Sequence, residues 1–368
     1  MSEPIPILHV LVSTRAGGGP QHVLTVARGL RPRGWRSIVA GPADGPLFAR
    51  FVEAGVETMR VRADRLGPLT LLRLVRVIRR RGVRLVHSHG KGAGLHARLA
   101  ARLTGVPAVH TLHGIHYERH GPTARALYLG LERRLSSVTR VVVNVSRAQE
   151  REGLALGLFQ PRQSRVILNG VDVARLLGSV LERGEARAAL GLDATATVVG
   201  CAARFDEVKR LDLLIEAMTS TPALTLALVG GGPEERRLRR LAADRGVAGR
   251  VRFAGEVPEA ARLFAAFDVL AAPSRKEGLP LAVVEAMALG LPVVASDIPA
   301  HREVLGEGSA GLVDGTPAAL AERLTTVLGD AELRGRMAAE NRTRARSEFD
   351  VRDMLAALDG VYREVLGL

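Results

Sequence analysis

Apolar residues in this chain come in short unbroken runs separated by longer stretches with helical spacing. Ile5 to Ser13 is the first such run, and Gln21 to Leu30 the first helix. Arg36 to Ala40, Thr58 to Val61, Leu85 to His89, Pro107 to Leu112 and Val141 to Ser146 read as further strands, with helices filling the gaps. Strands that are apolar on consecutive positions are buried on both faces, which calls for a parallel sheet covered by helices on each side. After Asn169-Gly170-Val171-Asp172 the pattern breaks into a Gly-, Glu-, Arg- and Ala-rich linker ending at Gly191-Leu192-Asp193. It then restarts with strands at Thr197 to Ala202, Thr225 to Val229, Arg250 to Phe253, Val269 to Ala272 and Val293 to Ser296, and helices starting near Arg210, Glu234, Glu259 and Pro280. The expected fold class is therefore α/β, with two doubly wound Rossmann-like domains over residues 1–172 and 190–346. A last helix falls in 347–368, with Met354, Leu355, Leu358, Tyr362 and Leu366 as its apolar stripe. Ligands of such sheets bind at the carboxyl ends of the strands, and with two domains the expected site is the cleft between them.

The densest chemistry lies in Ser274-Arg275-Lys276-Glu277-Gly278-Leu279-Pro280-Leu281-Ala282-Val283-Val284-Glu285. Pro280 suits the first position of a helix, where its missing N–H would be unbonded anyway. Glu277 then sits in the loop before the helix and Glu285 inside it. The amides at such a helix start form an anion site by geometry and dipole. A carboxylate beside an anion site fits a ligand carrying both phosphate and hydroxyls, such as a sugar nucleotide.

Ala16-Gly17-Gly18-Gly19-Pro20 and Val229-Gly230-Gly231-Gly232-Pro233 each close a strand and open a helix. Glycine lets a backbone approach phosphate closely, and also simply makes a tight turn. Neither loop is the dinucleotide fingerprint, whose third spaced glycine is missing. Arg204 and Lys209 follow the first strand of the second domain, where both can reach one diphosphate. Of the three lysines, Lys91, Lys209 and Lys276, two lie in these anion motifs, and a lysine point charge is not interchangeable with the arginine fork. His87, His89, His110, His113, His116 and His120 crowd the first domain. No carboxylate or cysteine joins them at ligand spacing, so no metal site is expected. His113, past a strand end, is the expected substrate contact, and Asn169 is an acceptor-side candidate.

Composition narrows the partners. The 368 residues carry a net charge of +14, which attracts anionic surfaces. Aromatics make up only 3%, which argues against single-stranded nucleic acid, whose bases stack on rings. Leu69 to Val83 reads as an amphipathic basic helix, with Leu71, Leu74, Val75 and Ile78 on one face and Arg73, Arg76, Arg80 and Arg84 near the other. This is the pattern of a surface helix or of docking to an anionic membrane face. The single cysteine, Cys201, excludes an internal disulfide and points to a reducing compartment. The opening Met1-Ser2-Glu3-Pro4 lacks the charged head of a signal peptide. The expected location is the cytoplasm, with peripheral association at the inner face of the cell membrane.

Taken together, Glu277 and Glu285 within Glu-Gly-Leu-Pro and Glu-Ala-Met-Ala, the Gly17 to Gly19 loop, His113-Gly114, Asn169-Gly170-Val171-Asp172, and Arg204 with Lys209 resemble the retaining glycosyltransferases of family 4. These have the two-domain GT-B fold, and the resemblance spans nearly the whole chain. It implies that Arg204 and Lys209 hold the donor diphosphate and that Gly278 and Leu279 donate amides to it. With Pro280 lacking an N–H, Leu281 supplies the next amide. Glu277 would bind donor-sugar hydroxyls, Glu285 the ribose, and the Gly17–Gly19 loop would close over the diphosphate, while the loop ending at Gly232, from its place between strand and helix, is expected near the nucleotide. His113 would contact the sugar, and the last helix would cross back onto the first domain.

The implied activity is metal-independent transfer of a sugar from a UDP- or GDP-linked donor to a hydroxyl acceptor, with no further cofactor. A lipid-linked acceptor in cell-surface polysaccharide or glycolipid assembly is the expectation. The family often has Gly-Arg and Glu-Gly-Phe-Gly where this chain has Ala203-Arg204 and Glu277-Gly278-Leu279-Pro280, departures that bear on donor choice. The alternatives are a sugar-nucleotide epimerase on the same fold and a non-catalytic protein binding anionic surfaces.

Overall fold

The computed structural model describes residues 3–63, 67–115 and 121–368. The chain divides into two units, Met1–Asn169 with Arg352–Leu368, and Gly170–Val351. In the first, β1 (Ile5–Leu11), β2 (Trp35–Gly41), β3 (Glu57–Arg60), β4 (Leu85–His89), β5 (Ala108–Leu112), β6 (Val141–Asn144) and β7 (Ser164–Val166) form one parallel sheet in the order β3-β2-β1-β4-β5-β6-β7. Right-handed crossovers assign the helices to faces. The order runs outward from β1 to β3, so α1 (Gly18–Leu30) and α2 (Pro46–Glu53) cover one face. It then runs the other way, so α3 (Pro68–Arg80), α4 (Lys91–Thr104) and α5 (Pro122–Ser136) cover the opposite one. The two cores show this: Val23, Leu24, Leu47 and Phe51 pack with Leu11 and Val39, while Leu74, Ile78, Ala93 and Ala97 pack with Leu8, Val10 and Val86. A further helix, α6 (Arg147–Ala155), precedes β7.

The second unit opens with α7 (Val173–Ser179) and α8 (Arg183–Ala189). Its parallel sheet comprises β8 (Thr197–Ala202), β9 (Leu224–Val229), β10 (Val251–Gly255), β11 (Val269–Ala272), β12 (Val293–Ser296) and β13 (Leu312–Val313), in the order β10-β9-β8-β11-β12-β13. Around it lie α9 (Leu211–Ala217), α10 (Glu235–Asp244), α11 (Leu281–Ala288), α12 (Pro299–Leu305), α13 (Pro317–Gly329) and α14 (Ala331–Glu348). The final helix, α15 (Val351–Leu366), packs within the first unit. There Leu358 and Tyr362 are fully buried, Tyr362 Oη lies 2.5 Å from His87 Nδ1, and Trp35 Nε1 donates to Asp359 at 2.7 Å.

Four local expectations change. The stretch read as a linker forms α7 and α8. Asp172 caps the first by accepting from the Arg175 amide, and buried Leu176 and Ala186 anchor the pair. The helix expected near Glu259 is a 3₁₀ segment, Ala260–Ala266; it buries Ala261, Leu263, Phe264 and Ala266, a spacing that one α-helical stripe cannot accommodate. Pro280 is the N-cap of α11 rather than its first residue. Helix α1 starts at Gly18, so two of the three loop glycines belong to its first turn. The short strands β7 and β13 carry too few residues to stand out from their surroundings in sequence. Among the described residues no helix is long and apolar enough to cross a membrane.

Candidate functional site

In the second unit the carboxyl ends of β8 and β11 bring Lys209 and Glu277 together. Lys209 Nζ donates to both carboxylate oxygens of Glu277, at 2.6 and 2.8 Å, and Ser274 Oγ donates to one of them at 2.7 Å. Burial alone would raise the Glu277 carboxyl, but Lys209, His301 and Ser274 together hold it below its usual value. The Glu277 carboxyl therefore stays ionised in a half-buried place. Just beyond it the amides of Gly278, Leu279 and Leu281 make no hydrogen bond among the described residues, at the start of α11. These donors, the helix dipole and the remaining hydrogen of the Lys209 ammonium form a positive, donor-rich patch. Arg204 is exposed, with its guanidinium on the buried Asp206 at 2.5 Å. One turn into α11, burial and the neighbouring Glu259 raise Glu285 to about 7.

The glycines after β9 answer first to the chain's own backbone. Gly230 has φ 141°, and a Cβ there would meet the Ala203 carbonyl at 1.9 Å; at Gly232, φ 156°, one would meet the Phe205 carbonyl at 2.6 Å. The loop is laced to that strand end by Phe205 N–H to Gly231 O at 2.8 Å and Glu234 N–H to Phe205 O at 3.0 Å. The packing thus explains Gly232 without any ligand. The Gly17–Gly19 loop differs. An added Cβ at Gly17 would meet nothing, and one at Gly19 would touch only the His113 ring at 3.6 Å.

In the first unit, β-sheet register gathers the histidines. His9 pairs across the sheet with His87, and His87 and His89 alternate onto the same face. A chain of imidazoles results: His9 Nδ1 lies 3.1 Å from His89 Nε2, and His89 Nδ1 lies 3.2 Å from His113 Nε2. Each neutral ring can donate on one side and accept on the other. His22, from α1, meets the His113 ring edge-on with centroids 5.1 Å apart. Desolvation dominates their titration. It lowers His9 to about 3 and His22 to about 4, the latter opposed by the Asn169 side chain, and lowers His87, His89 and His113 well below the usual range, with their histidine neighbours adding to the effect. These rings are neutral at pH 7. Two triplets, His9–His87–His89 and His22–His89–His113, keep their ligand atoms within 4.8 Å of one another. Both His87 nitrogens are taken, by Tyr362 and by Thr111 Oγ1 at 2.6 Å. The second triplet has His22 with neither nitrogen bonded, but both His89 nitrogens are engaged, by His9 and by His113.

His110 faces the other side of the sheet, bonded to Ser88 Oγ at 2.8 Å and near Arg98, which is buried against Glu132 at 2.6 Å. It is thereby separated from His113. Asn169 is buried, with its Oδ1 unbonded, beside His22. His116 and His120 lie outside the described residues. Sequence reasoning missed His9, His22 and His301. The first two sit on elements far from His113 in the chain, and only their strand and helix partners expose them. His301 is buried, bonds the Ser296 carbonyl through Nδ1 at 2.7 Å, leaves Nε2 unbonded and acts electrostatically on Glu277. Its one signal is its place on the helix after β12.

Two family models match the chain: Glycosyltransferase Family 4 over residues 16–175 and Glycosyl transferases group 1 over residues 182–344. The D-inositol 3-phosphate glycosyltransferase of Jonesia denitrificans is 31% identical over 303 residues, 75% of this chain and 71% of that protein. The chain belongs to the family 4 glycosyltransferases. Another relative is the putative glycosyltransferase EpsD of Bacillus subtilis, 30% identical over 274 residues and 71% of each chain. Among solved structures, Anabaena HepE in complex with UDP and glucose superimposes with a TM-score of 0.86 at 24% identity, covering 98% of this chain and all of that one. Sucrose-phosphate synthase from Thermosynechococcus elongatus gives 0.83 at 23% identity and covers 99% of each. The glycosyltransferase fold is therefore GT-B, with two parallel-sheet Rossmann-like domains.

Proposed function

We propose that this glycosyltransferase moves a sugar from a nucleotide-diphosphate donor to a hydroxyl acceptor with retention at the anomeric carbon. The observation that carries the reading is the unbonded amides of Gly278, Leu279 and Leu281 beside the Lys209–Glu277 pair. Fixed donors and a positive charge are aimed at where a leaving diphosphate accumulates charge. Relatives of the fold are described in complex with UDP and with UDP-glucose, which supports a donor of this class.

In the proposed reaction the bond between the anomeric carbon and the phosphate oxygen breaks, and its electron pair leaves with the diphosphate. The acceptor oxygen forms the new bond on the same face, and its proton passes to the departing phosphate oxygen. Lys209, Arg204 and the amides stabilise the leaving charge. Glu277, held ionised, binds donor-sugar hydroxyls and opposes the positive charge at carbon; Glu285 binds the ribose. The Gly17–Gly19 turn contributes to phosphate contact, and neutral His113 to the sugar. Asn169 stands on the acceptor side, and no metal or cofactor takes part.

The acceptor is proposed to be lipid-linked, in cell-surface polysaccharide or glycolipid assembly, with the protein cytoplasmic and docked on the membrane. Leu69 and Leu72 support this: they are 69% and 63% exposed on α3, beside exposed Arg73, Arg76, Arg79 and Arg80. Apolar residues among cations fit an anionic bilayer surface.

Screening UDP- and GDP-sugars for thermal stabilisation and slow hydrolysis tests the donor, since a bound donor raises the melting temperature by mass action. Nuclear magnetic resonance of the first-formed product reads the anomeric configuration. Inversion there, or complete loss of activity in chelator, overturns the mechanism. Conversion of donor without acceptor would favour the epimerase reading. Full biological function in a Glu277→Ala, Lys209→Ala double variant would favour a non-catalytic binder. Failure to bind anionic vesicles at low salt would remove the membrane part alone.

A further inference from the structure

At the opposite edge of the first sheet from His113 lies a groove of about 980 Å³ that the proposed reaction does not use. It runs along the amino ends of β4 to β7. Strand β5 separates it from His113 by about 16 Å at the usual rise of a strand. Arg84, Arg102, Arg140 and Arg162 line it, no carboxylate does, and half-buried Val106 and Val138 form part of its floor. None of the four guanidiniums makes a hydrogen bond or ion pair among the described residues. Most arginines elsewhere on the surface are paired, as Arg165 is with Glu364 at 2.7 Å close by.

One ordinary demand on these cations is the helix ends. Arg102 lies in the last turn of α4, and Arg84 and Arg140 follow the ends of α3 and α5. Each helix end carries about half a negative charge. With the end of α15, whose Val365 and Leu366 also line the groove, four such ends against four full positive charges leave an excess of about two. Arginine forks match phosphate oxygens in pairs. We propose that this groove is a binding site for an organic phosphate, with its anionic group among the four arginines and its apolar flank over Val106 and Val138. The ligand's source is either a phosphorylated small molecule or the phosphate headgroup of a lipid. The site is separate from donor binding in the second unit.

The test uses the full chain in an Arg204→Ala, Lys209→Ala background, so that binding at the donor site does not contribute. Inorganic pyrophosphate is titrated by calorimetry, and phosphatidylcholine vesicles with and without phosphatidic acid are sedimented with the protein. Two wall variants, Arg84→Ala/Arg102→Ala and Arg140→Ala/Arg162→Ala, are compared with Arg236→Ala/Arg240→Ala in the second unit. Each wall variant should weaken binding at least about tenfold, as loss of charge-assisted contacts predicts, while the control pair leaves it unchanged. Pyrophosphate binding lost in the wall variants identifies a soluble source. Binding only to phosphatidic acid vesicles, lost in the same variants, identifies a lipid. Binding of neither probe, or equal binding by wall and control variants, overturns the proposal. All four arginines are exposed, and unchanged melting temperatures show that the variants are folded.

Discussion

The histidine chain of the first unit and the Lys209 cluster of the second treat polar burial in opposite ways. The first packs neutral imidazoles into a chain, His9 to His89 to His113, whose members burial keeps unprotonated. The second keeps full charges, with the Lys209 ammonium on the Glu277 carboxylate and unbonded amides beside them. Desolvation acts on both. It wins in the histidine chain, where no carboxylate compensates, and loses at Glu277, where a cation and a hydroxyl donor are within hydrogen-bond reach. Charge stabilisation is thus available at the Lys209–Glu277 cluster, while the histidine chain offers neutral donors and acceptors suited to hydroxyls.

The most severe way to break this contrast is Lys209→Ala, which is expected to cut kcat/KM about 10²- to 10³-fold, the range for removing a preorganised stabiliser of developing charge. Lys209→Arg should lose most of the same activity, because the planar fork cannot occupy the point-charge position on Glu277. Steady-state rates with the identified donor decide it, and near-wild-type turnover in either variant would show that the leaving charge is stabilised elsewhere.

Acid should affect the first unit next. A histidine with a depressed folded value binds fewer protons than its unfolded form, so stability is lost as pH falls below about 6.5 and continues to fall until the folded value is reached. For His22 that window runs from 6.5 to about 4. Replacing His22 by Phe should remove about 3 kcal/mol of acid sensitivity, at 1.36 kcal/mol per pH unit. Denaturant midpoints between pH 7.5 and 4 measure it, and identical slopes in wild type and variant would argue that His22 titrates alike in the folded and unfolded chain.

Glu285 should respond in the other direction. Its folded value, raised to about 7, lies above the unfolded 4.5, so stability is full below 4.5 and declines as pH rises through 7. Glu285→Gln is expected to stabilise the protein by up to about 3 kcal/mol at pH 8 and to change little at pH 4.5, readable from the same curves. No gain at pH 8 would mean that the carboxyl is better solvated than its surroundings imply. The smallest effect expected is that of His89→Phe, which keeps the ring but removes both imidazole contacts. A fall in kcat of about tenfold with little change in KM would show that the chain orients His113. An unchanged kcat would make the chain purely a packing feature.

Much of the fold was legible because period and residue type act locally. Continuous apolar strands between helices require a parallel sheet wherever they occur, and Leu85–His89, Thr197–Ala202, Val269–Ala272 and Val293–Ser296 form as strands over the residues the pattern marks. The stretch at 173–189 was not legible, because its helices are short and held by a few buried residues that composition hides. The glycines after β9 suggest phosphate contact equally well on the page. The carbonyls of Ala203 and Phe205 give them another reason, and those neighbours are distant in sequence.

The sequence by itself determined the two α/β sheets, the helix start after Glu277 and the presence of cations near it, since each depends on residues a few positions apart. Tertiary structure alone decided that Lys209 sits on Glu277 across 68 positions, that His9, His22 and His301 join the candidate sites, and that four arginines from separate connections share one groove. The physical reason is that hydrogen bonds, desolvation and charge depend on distance in space, which strand register and crossover fix only after the sheets have formed.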